Sequence, residues 1–429
     1  MARKRVIYQS EALFVGPVGA NFKYVTGVWD SGQYDVTAGQ GSALASNRNN
    51  QSLLTTNLTS LSTTGLNNVN ITNGYYNVFF TGGLLTQLGL NSGILNNTLQ
   101  LSRVQNANYG FDITRTDVNQ YGQLAAIDRV ILEQPTVSLD FSYFASSGQN
   151  EQALGFFLGN TKGALADILS GGKDINNYYI LVSPEGTDAN IDTAIATSQG
   201  KVIGIGNAGL TSYSIEAAVG GFPTVSVAAE GLNMKFYGVT SGYSPNVNPA
   251  NGSANVTGTF SIPTPNTGSG FTALRPGDIQ LSISGIGVDA SDLKIQSFTL
   301  STDIGRDPIQ QLGNKFAFSR EITFPVTVAA SVEAIIGDIA GTDTLTNALS
   351  EMVCDDSKSY DISFNLGQPS SSCDSSYTPY ALRYILKGAK LDAQSFSSSI
   401  GDNKSVTLEF SAQIGGPNDT NKGLFIENS

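Results

Sequence analysis

Two stretches of this chain read as one sequence written twice, and that duplication limits the fold more than any single motif. Val104-Gln105 through Arg115-Thr116-Asp117-Val118-Asn119-Gln120-Tyr121-Gly122 matches Ile295-Gln296 through Arg306-Asp307-Pro308-Ile309-Gln310-Gln311-Leu312-Gly313 at a constant offset of 191 residues (306 − 115). Pro135-Thr136-Val137-Ser138-Leu139 then answers Pro325-Val326-Thr327-Val328, slipped by one. Further on, Ala208-Gly209-Leu210, Ser214, Val219-Gly220, Val225 and Val227 face Ala389-Lys390-Leu391, Ser395, Ile400-Gly401, Val406 and Leu408 at an offset of 181 (389 − 208). One shorter connecting segment in the second copy accounts for the change of offset. A long unit present only twice is a duplicated domain rather than a solenoid.

A chain of 429 residues, 40% apolar and 14% charged, can bury substantial cores and suits two domains plus additions. It has no apolar run long enough for a membrane-spanning helix, and its start, Met1-Ala2-Arg3-Lys4-Arg5 before Val6-Ile7-Tyr8-Gln9-Ser10, lacks the apolar centre of a secretory signal. The N-terminus is therefore expected to be retained. The net charge of −12 argues against a surface built to grip nucleic-acid phosphate, because that affinity comes from clustered Lys and Arg. Abundant Asn, Ser, Thr and Gly with scarce Lys and Glu favour strands and turns over exposed helices, so a mainly β fold with minor helix is predicted.

Two apolar bursts, Val6-Ile7-Tyr8 and Ala12-Leu13-Phe14-Val15, precede Phe22-Lys23-Tyr24-Val25 and predict a strand or hairpin at the start. Residues 34–97 form a long polar excursion with short strands such as Tyr75-Tyr76-Asn77-Val78-Phe79-Phe80. Within the first repeat, Thr136 through Phe144 alternates polar and apolar residues with period two, the pattern of a strand with one buried face. Asn150 through Leu158, continuing over Ala164 to Leu169, is the best helical candidate, and Thr342 through Ser350 stands in the same place in the second copy. Between the copies, residues 238–276 are rich in Pro and Gly and read as a linker or a long hairpin. The predicted organisation is residues 1–237 (N-terminal arm, polar insertion and first domain), 238–276 (linker or hairpin) and 277–429 (second domain).

Zero histidines in the whole chain removes the commonest general base, metal ligand and proton shuttle together. Gly171-Gly172-Lys173-Asp174 has the ending of a phosphate loop without its upstream glycine, and carries Asp where magnesium binding needs Ser or Thr, so it is assigned to a turn. Acidic residues at Asp188, Asp192, Asp355 and Asp356 fit solvated loops better than a glycosidase pair, there being one tryptophan, Trp29, to build a sugar groove. Ser183 to Asp192 does not match a twelve-residue calcium loop. Cys354 and Cys373 are compatible with one disulfide or with two reduced thiols; two cysteines without histidine cannot make a four-ligand zinc site. No enzyme, cofactor or metal is expected.

The residues that both copies share have a structural reading. Gly122 with Gly313, and Gly220 with Gly401, stand where strands end and would permit a positive φ. Arg115 and Arg306, each beside a matching glutamine, Gln120 and Gln311, suit ion pairing either within the subunit or across an assembly interface. Arg115, Gln120, Gly122, Arg306, Gln311 and Gly313 are accordingly the candidate fold or interface residues.

The stretch Ser102 to Tyr109, then Arg115 to Ala125, then Pro135 to Phe141, resembles tail tube proteins of tailed bacteriophages, and the opening Arg3-Lys4-Arg5-Val6-Ile7-Tyr8-Gln9-Ser10 is similar to them as well. This resemblance spans roughly a third of the chain and includes no catalytic motif. It implies tandem β-sandwich or half-barrel domains, each with a short flanking helix, and long extended insertions. It also implies rings of six tube domains that stack into a hollow tube carrying DNA from capsid to host. Where the domain is duplicated, as here, a trimer makes a pseudo-hexameric ring. The partners then expected are copies of the chain itself, other phage tail proteins, and DNA that passes without specific binding. The expected place is the virion tail, assembled in the host cytoplasm. A sheet with open edges supplies a physical route to such a ring, since a head-to-tail contact that closes protects those edges. The insertions at 34–97 and 238–276 are candidate arms towards an adjacent ring. A capsid decoration protein or a tail adhesin binding host glycans would also be acidic, β-rich and duplicated. A secreted surface-layer or binding module is the third reading and would require an export signal.

Overall fold

The computed structural model describes residues 11–17, 99–132, 135–170, 173–183, 201–238, 279–284, 293–310, 312–313, 319–336, 358–367, 380–397 and 403–428, together with the backbone of five short strands between residues 23 and 80. The fold is mainly β. The chain begins with strands β1 (Glu11–Pro17), β2 (Lys23–Tyr24), β3 (Gly32–Tyr34), β4 (Ala43–Ala45), β5 (Leu66–Thr72), β6 (Tyr75–Phe80) and β7 (Leu99–Gln100). Next come β8 (Val104–Asp112), β9 (Thr116–Val118), β10 (Asp128–Val130) and β11 (Thr136–Phe144). Two short helices follow, α1 (Gln149–Leu154) and α2 (Ala166–Leu169). After them lie β12 (Ile175–Val182), β13 (Lys201–Ala218), β14 (Thr224–Gly231) and β15 (Asn233–Gly238). The rest of the chain supplies β16 (Ile279–Ser284), β17 (Leu293–Asp303), β18 (Arg306–Ile309), β19 (Ser319–Ile322) and β20 (Thr327–Ile336). It ends with β21 (Tyr360–Gly367), β22 (Tyr380–Ser397), β23 (Ser405–Gln413) and β24 (Gly423–Asn428).

These elements form two compact units, each assembled from separate stretches of chain. One unit takes Met1–Gln100, Asn177–Gly206 and Met234–Asn266. Its described part pairs β1 with β7 and places β12 beside β1, and the apolar run Tyr178-Tyr179-Ile180-Leu181 is buried throughout. Burial on both faces explains why this strand reads as continuous hydrophobicity rather than alternation. The predicted strand at Tyr75 to Phe80 is β6, paired with β5.

The other unit takes Leu101–Asn176, Asn207–Asn233 and Thr267–Ser429. Its main sheet is antiparallel and runs β8, β11, β14, β13, β17, β20, β23, β22. The second four strands repeat the pairing of the first four, defects included. A bulge falls at Gln105 in β8 and at Gln296 in β17. Each of these glutamines folds back, its side-chain amide donating to the carbonyl of Arg103 at 2.9 Å or of Lys294 at 3.1 Å. Another bulge falls at Thr211 in β13 and at Asp392 in β22. Bulges insert one unpaired residue and bend the strand, so a bulge kept at both positions marks retained geometry.

Register corrects one reading of the repeat. Val137 pairs with Phe111, and Val328 with Thr302, so β11 and β20 keep the offset of 191 (328 − 137) that β8 and β17 have. The one-residue slip between Pro135 and Pro325 is confined to the approach to the strand, where no ladder holds the register.

Strand β11 shows why the alternating sequence folds as it does. Val137, Leu139, Phe141 and Tyr143 are buried, while Thr136, Ser138 and Asp140 face solvent. The apolar face of the main sheet packs on a second sheet, formed by β16, β21, the first half of β22, and β24. Phe298 of the main sheet stacks on Phe364 of β21 at 4.4 Å between ring centroids, and Tyr360 meets Phe410 edge-on at 5.7 Å. Such pairs add about 1 kcal/mol each beyond the area they bury. The helical prediction over Asn150 to Leu169 is met by two short pieces with a non-helical segment between them. Six residues are too few for a helix to be stable alone, so α1 depends on its buried face, Asn150, Glu151 and Leu154. The second-copy helical candidate, Thr342 to Ser350, lies outside the described residues, as do residues 239–276 of the Pro-rich stretch.

Candidate assembly interface

Where the two copies meet, β13 pairs with β17. The register runs from Ser212 opposite Asp303, through Ser214 opposite Ser301, to Ala218 opposite Ser297. Two further backbone bonds close the ends: the Ile304 amide donates to the Thr211 carbonyl at 2.7 Å, and the Val219 amide to Gln296 at 2.9 Å. On the apolar side, Tyr213, Ile215 and Ala217 meet Thr302, Leu300 and Phe298, all buried.

Two arginines of the second copy fasten this junction. Arg306, its side chain only 1% exposed, donates to the carbonyls of Leu210 at 2.9 Å and Asp174 at 3.1 Å, and lies 3.6 Å from the Asp174 carboxylate. Arg320, 7% exposed, pairs with the Glu230 carboxylate at 2.9 Å and donates to the Glu230 carbonyl. The guanidinium of Arg306 passes directly over Gly209: a Cβ there would lie 2.5 Å from its Cζ. Gly209→Ala must displace the guanidinium from buried acceptors, with an expected loss of about 2 kcal/mol of stability. A urea midpoint unchanged in that variant would show that Arg306 does not hold the junction.

The same positions stand open at the two ends of the main sheet. Among the described residues, β8 pairs only with β11, and residues 390–397 of β22 pair only with β23. At offsets of 191 and 181, these two edges are the counterparts of β17 and β13. Arg115, the counterpart of Arg306, is exposed, and Arg129, the counterpart of Arg320, is 67% exposed beside Asp117. Phe111 is 61% and Phe396 41% exposed, although their counterparts Thr302 and Ile215 are buried. The two matched arginines thus occupy opposite environments.

Gln120, Gly122 and Gly313 sit at the tips of two hairpins, β9–β10 and β18–β19. Gly122 and Gly313 turn with φ of 90° and 89°, a left-handed conformation that suits glycine. Beside them Tyr121 and Leu312 are fully exposed. Gln120 is exposed on the first tip, and Gln311 lies outside the described residues.

Four buried polar side chains were also not singled out from sequence. Glu151 Oε1 of α1 lies within hydrogen-bond distance of the hydroxyls of Tyr143 at 2.9 Å, Tyr213 at 3.3 Å and Tyr384 at 3.3 Å. Tyr213 and Tyr384 share a bond at 2.8 Å, so one of the two gives its proton to the other while the remaining hydroxyls donate to the carboxylate. Burial raises the Glu151 carboxyl above its ordinary value, against the opposing pull of its backbone hydrogen bond and the three tyrosines. Burial, followed by the neighbouring carboxyl, keeps all three phenols well above theirs. Sealed from solvent, the cluster joins α1 to β11, β13 and β22. The clue in the sequence was a tyrosine, Tyr143, on the buried parity of an alternating strand, where a hydroxyl needs a partner.

The opposite face of the main sheet is polar and acidic. Asp112, Asp140, Glu216, Asp303, Glu333 and Glu409 project from it among small Ser, Thr, Ala and Asn side chains, with Lys294 and Lys390 on the same face, and Arg306 and Arg320 lie against its Gly209 and Glu230, paired to Asp174 and Glu230. A face with this balance repels phosphate.

Asp174, read as part of a turn, is the partner of Arg306. Asp188, Asp192, Asp355, Asp356, Cys354 and Cys373 lie outside the described residues. Among the described residues no helix is long and apolar enough to cross a membrane. Compared with protein-family models and with curated proteins, the chain matches none.

Proposed function

We propose that this chain is a virion structural protein whose copies assemble into stacked, pseudo-hexameric rings that form a bacteriophage tail tube, the conduit for DNA ejected into the host. The observation that carries the reading is a single continuous sheet, apolar on one face and acidic on the other, whose two end strands each have one edge that no described strand pairs. Unpaired edges recruit further strands, and a head-to-tail contact that closes on itself removes them. The acidic face supplies a lining along which DNA slides without being held, since its exposed carboxylates outnumber Lys294 and Lys390 among the described residues and Arg306 and Arg320 are engaged by Asp174 and Glu230. The exposed apolar hairpin tips, with the long insertions at 34–97 and 238–276, supply the axial contact between rings. On this reading the domains are tandem tube domains, the partners are further copies and other tail proteins, and the protein works in the virion tail by assembly rather than catalysis.

The test is negative-stain electron microscopy of the full chain across a concentration series. Rings or hollow tubes of uniform width are the expected result. Compact trimers at every concentration would favour a decoration or adhesin protein instead.

A further inference from the structure

The geometry points to a defined contact between two copies of this chain: β8 of one copy pairs with residues 390–397 of β22 in the next, in the register of the internal β13·β17 junction. This inference rests on the ring assembly proposed above and specifies its interface residue by residue.

The template is internal. Shifting β13 by 181 and β17 by 191 converts each internal pair into an intermolecular one. Ser212 opposite Asp303 becomes Ala393 opposite the partner copy's Asp112. By the same rule Gln394 faces Phe111, Ser395 faces Gly110, Phe396 faces Tyr109 and Ser397 faces Asn108. The Ile304 amide bond to the Thr211 carbonyl becomes one from Ile113 to the Asp392 carbonyl. Both strands keep the bulge their counterparts have, so the transposed register meets no misfit along its length.

Side chains agree with the transposition. Phe111 and Phe396, exposed in the single chain, come to lie on the apolar face of the new junction, where the internal counterparts are buried. On the acidic face Asp112 meets Ala393 and Asn108 meets Ser397, so no two carboxylates stand directly opposite, an arrangement that like charges would penalise. Arg115 and Arg129 then reach towards β22 and β23 of the next copy.

One contact does not carry over. Gly209, over which Arg306 passes, is Lys390 in the second copy, and a side chain there blocks that path. Arg115 must take a different route, so the junction between copies is looser at this end than the internal one. A looser outer junction lets the chain fold before it assembles.

Cysteine cross-linking in the full chain, in a Cys354→Ser, Cys373→Ser background, tests the register. The diagnostic pair is Gly110→Cys with Ser395→Cys, at positions on the polar face; a Cβ at Gly110 meets nothing within 4 Å. Its internal equivalent, Ser214→Cys with Ser301→Cys, is the positive control and should close within one chain. Asn108→Cys with Ser395→Cys is out of register by two residues, beyond disulfide reach. Under mild oxidation at concentrations where the parent forms rings, the diagnostic pair should convert most of the chain into a ladder of covalent multimers. The offset pair should leave it monomeric. A second in-register pair, Asp112→Cys with Ala393→Cys, reports independently if the first disturbs folding. Rings present without a ladder from either in-register pair, or an equal ladder from the offset pair, would overturn the register while leaving the ring assembly standing. A parent chain that stays monomeric at every concentration would overturn both.

Discussion

A Glu151→Ala protein is expected to unfold with about 4 kcal/mol less free energy than the parent, the largest loss anticipated for a single polar side chain here. The substitution opens a cavity against α1 and removes the acceptor shared by three buried tyrosine hydroxyls, leaving Tyr213 and Tyr384 their bond to each other. Because Tyr143, Tyr213 and Tyr384 belong to β11, β13 and β22, the damage spreads to both copies of the repeat. Glu151→Gln keeps the shape and one acceptor oxygen, so it should cost far less. It should also change the pH dependence of stability. The folded-state pKa of Glu151 is raised above the ordinary glutamate value of 4.5, with burial the largest cause. Below 4.5 the group is protonated in both the folded and unfolded chain, and its contribution is fully present. As pH rises from there through the raised value, the unfolded chain releases the proton first, and that contribution is lost. The Gln variant lacks this slope. Urea unfolding of parent and variant across a pH series decides the matter: parallel pH profiles would mean that Glu151 does not titrate as its burial requires.

Replacing Phe111 by Glu is expected to abolish ring formation while leaving the single chain folded. Phe111 is largely exposed on the open edge of β8, so the isolated chain loses little. At a junction between copies its ring would be buried, contributing about 2 kcal/mol, or roughly a thirty-fold change in affinity. A carboxylate in its place also has to be desolvated without a partner. Phe111→Leu restores most of the apolar area and should restore rings. Sedimentation velocity and electron microscopy of the three proteins at matched concentrations read the effect. Rings formed as readily by the Glu variant as by the parent would remove this edge from the interface.

The pair Arg115 and Arg306 shows how far sequence reasoning reaches. Both arginines follow the same kind of strand and precede the same glycine turn, and no local feature separates them. Their environments differ because only the second copy has β13 and β14 of a preceding copy to lie against. Arg306 therefore finds the Leu210 and Asp174 carbonyls, whereas Arg115 faces solvent. The choice between a fold-stabilising and an interface arginine was open from sequence because each answer belongs to a different copy.

Glu151 makes the complementary point. In a short amphipathic segment a glutamate reads as surface. Its burial comes from hydroxyls on strands far away in sequence, and one of them, Tyr384, is 233 residues distant.

The sequence by itself determined the mainly β character, the duplication, the β11 strand with its buried parity, and the paired turns at Gly122 and Gly313. Each of these is written in local periodicity, in residue type, or in similarity between two segments. Only the tertiary structure decided that β13 joins β17, that Glu151 sits among three tyrosines, and which of the described strands stand at the ends of the main sheet. Strand pairing is a contest among many edges of similar local propensity, and it is settled by long-range packing and register that no short window of sequence contains.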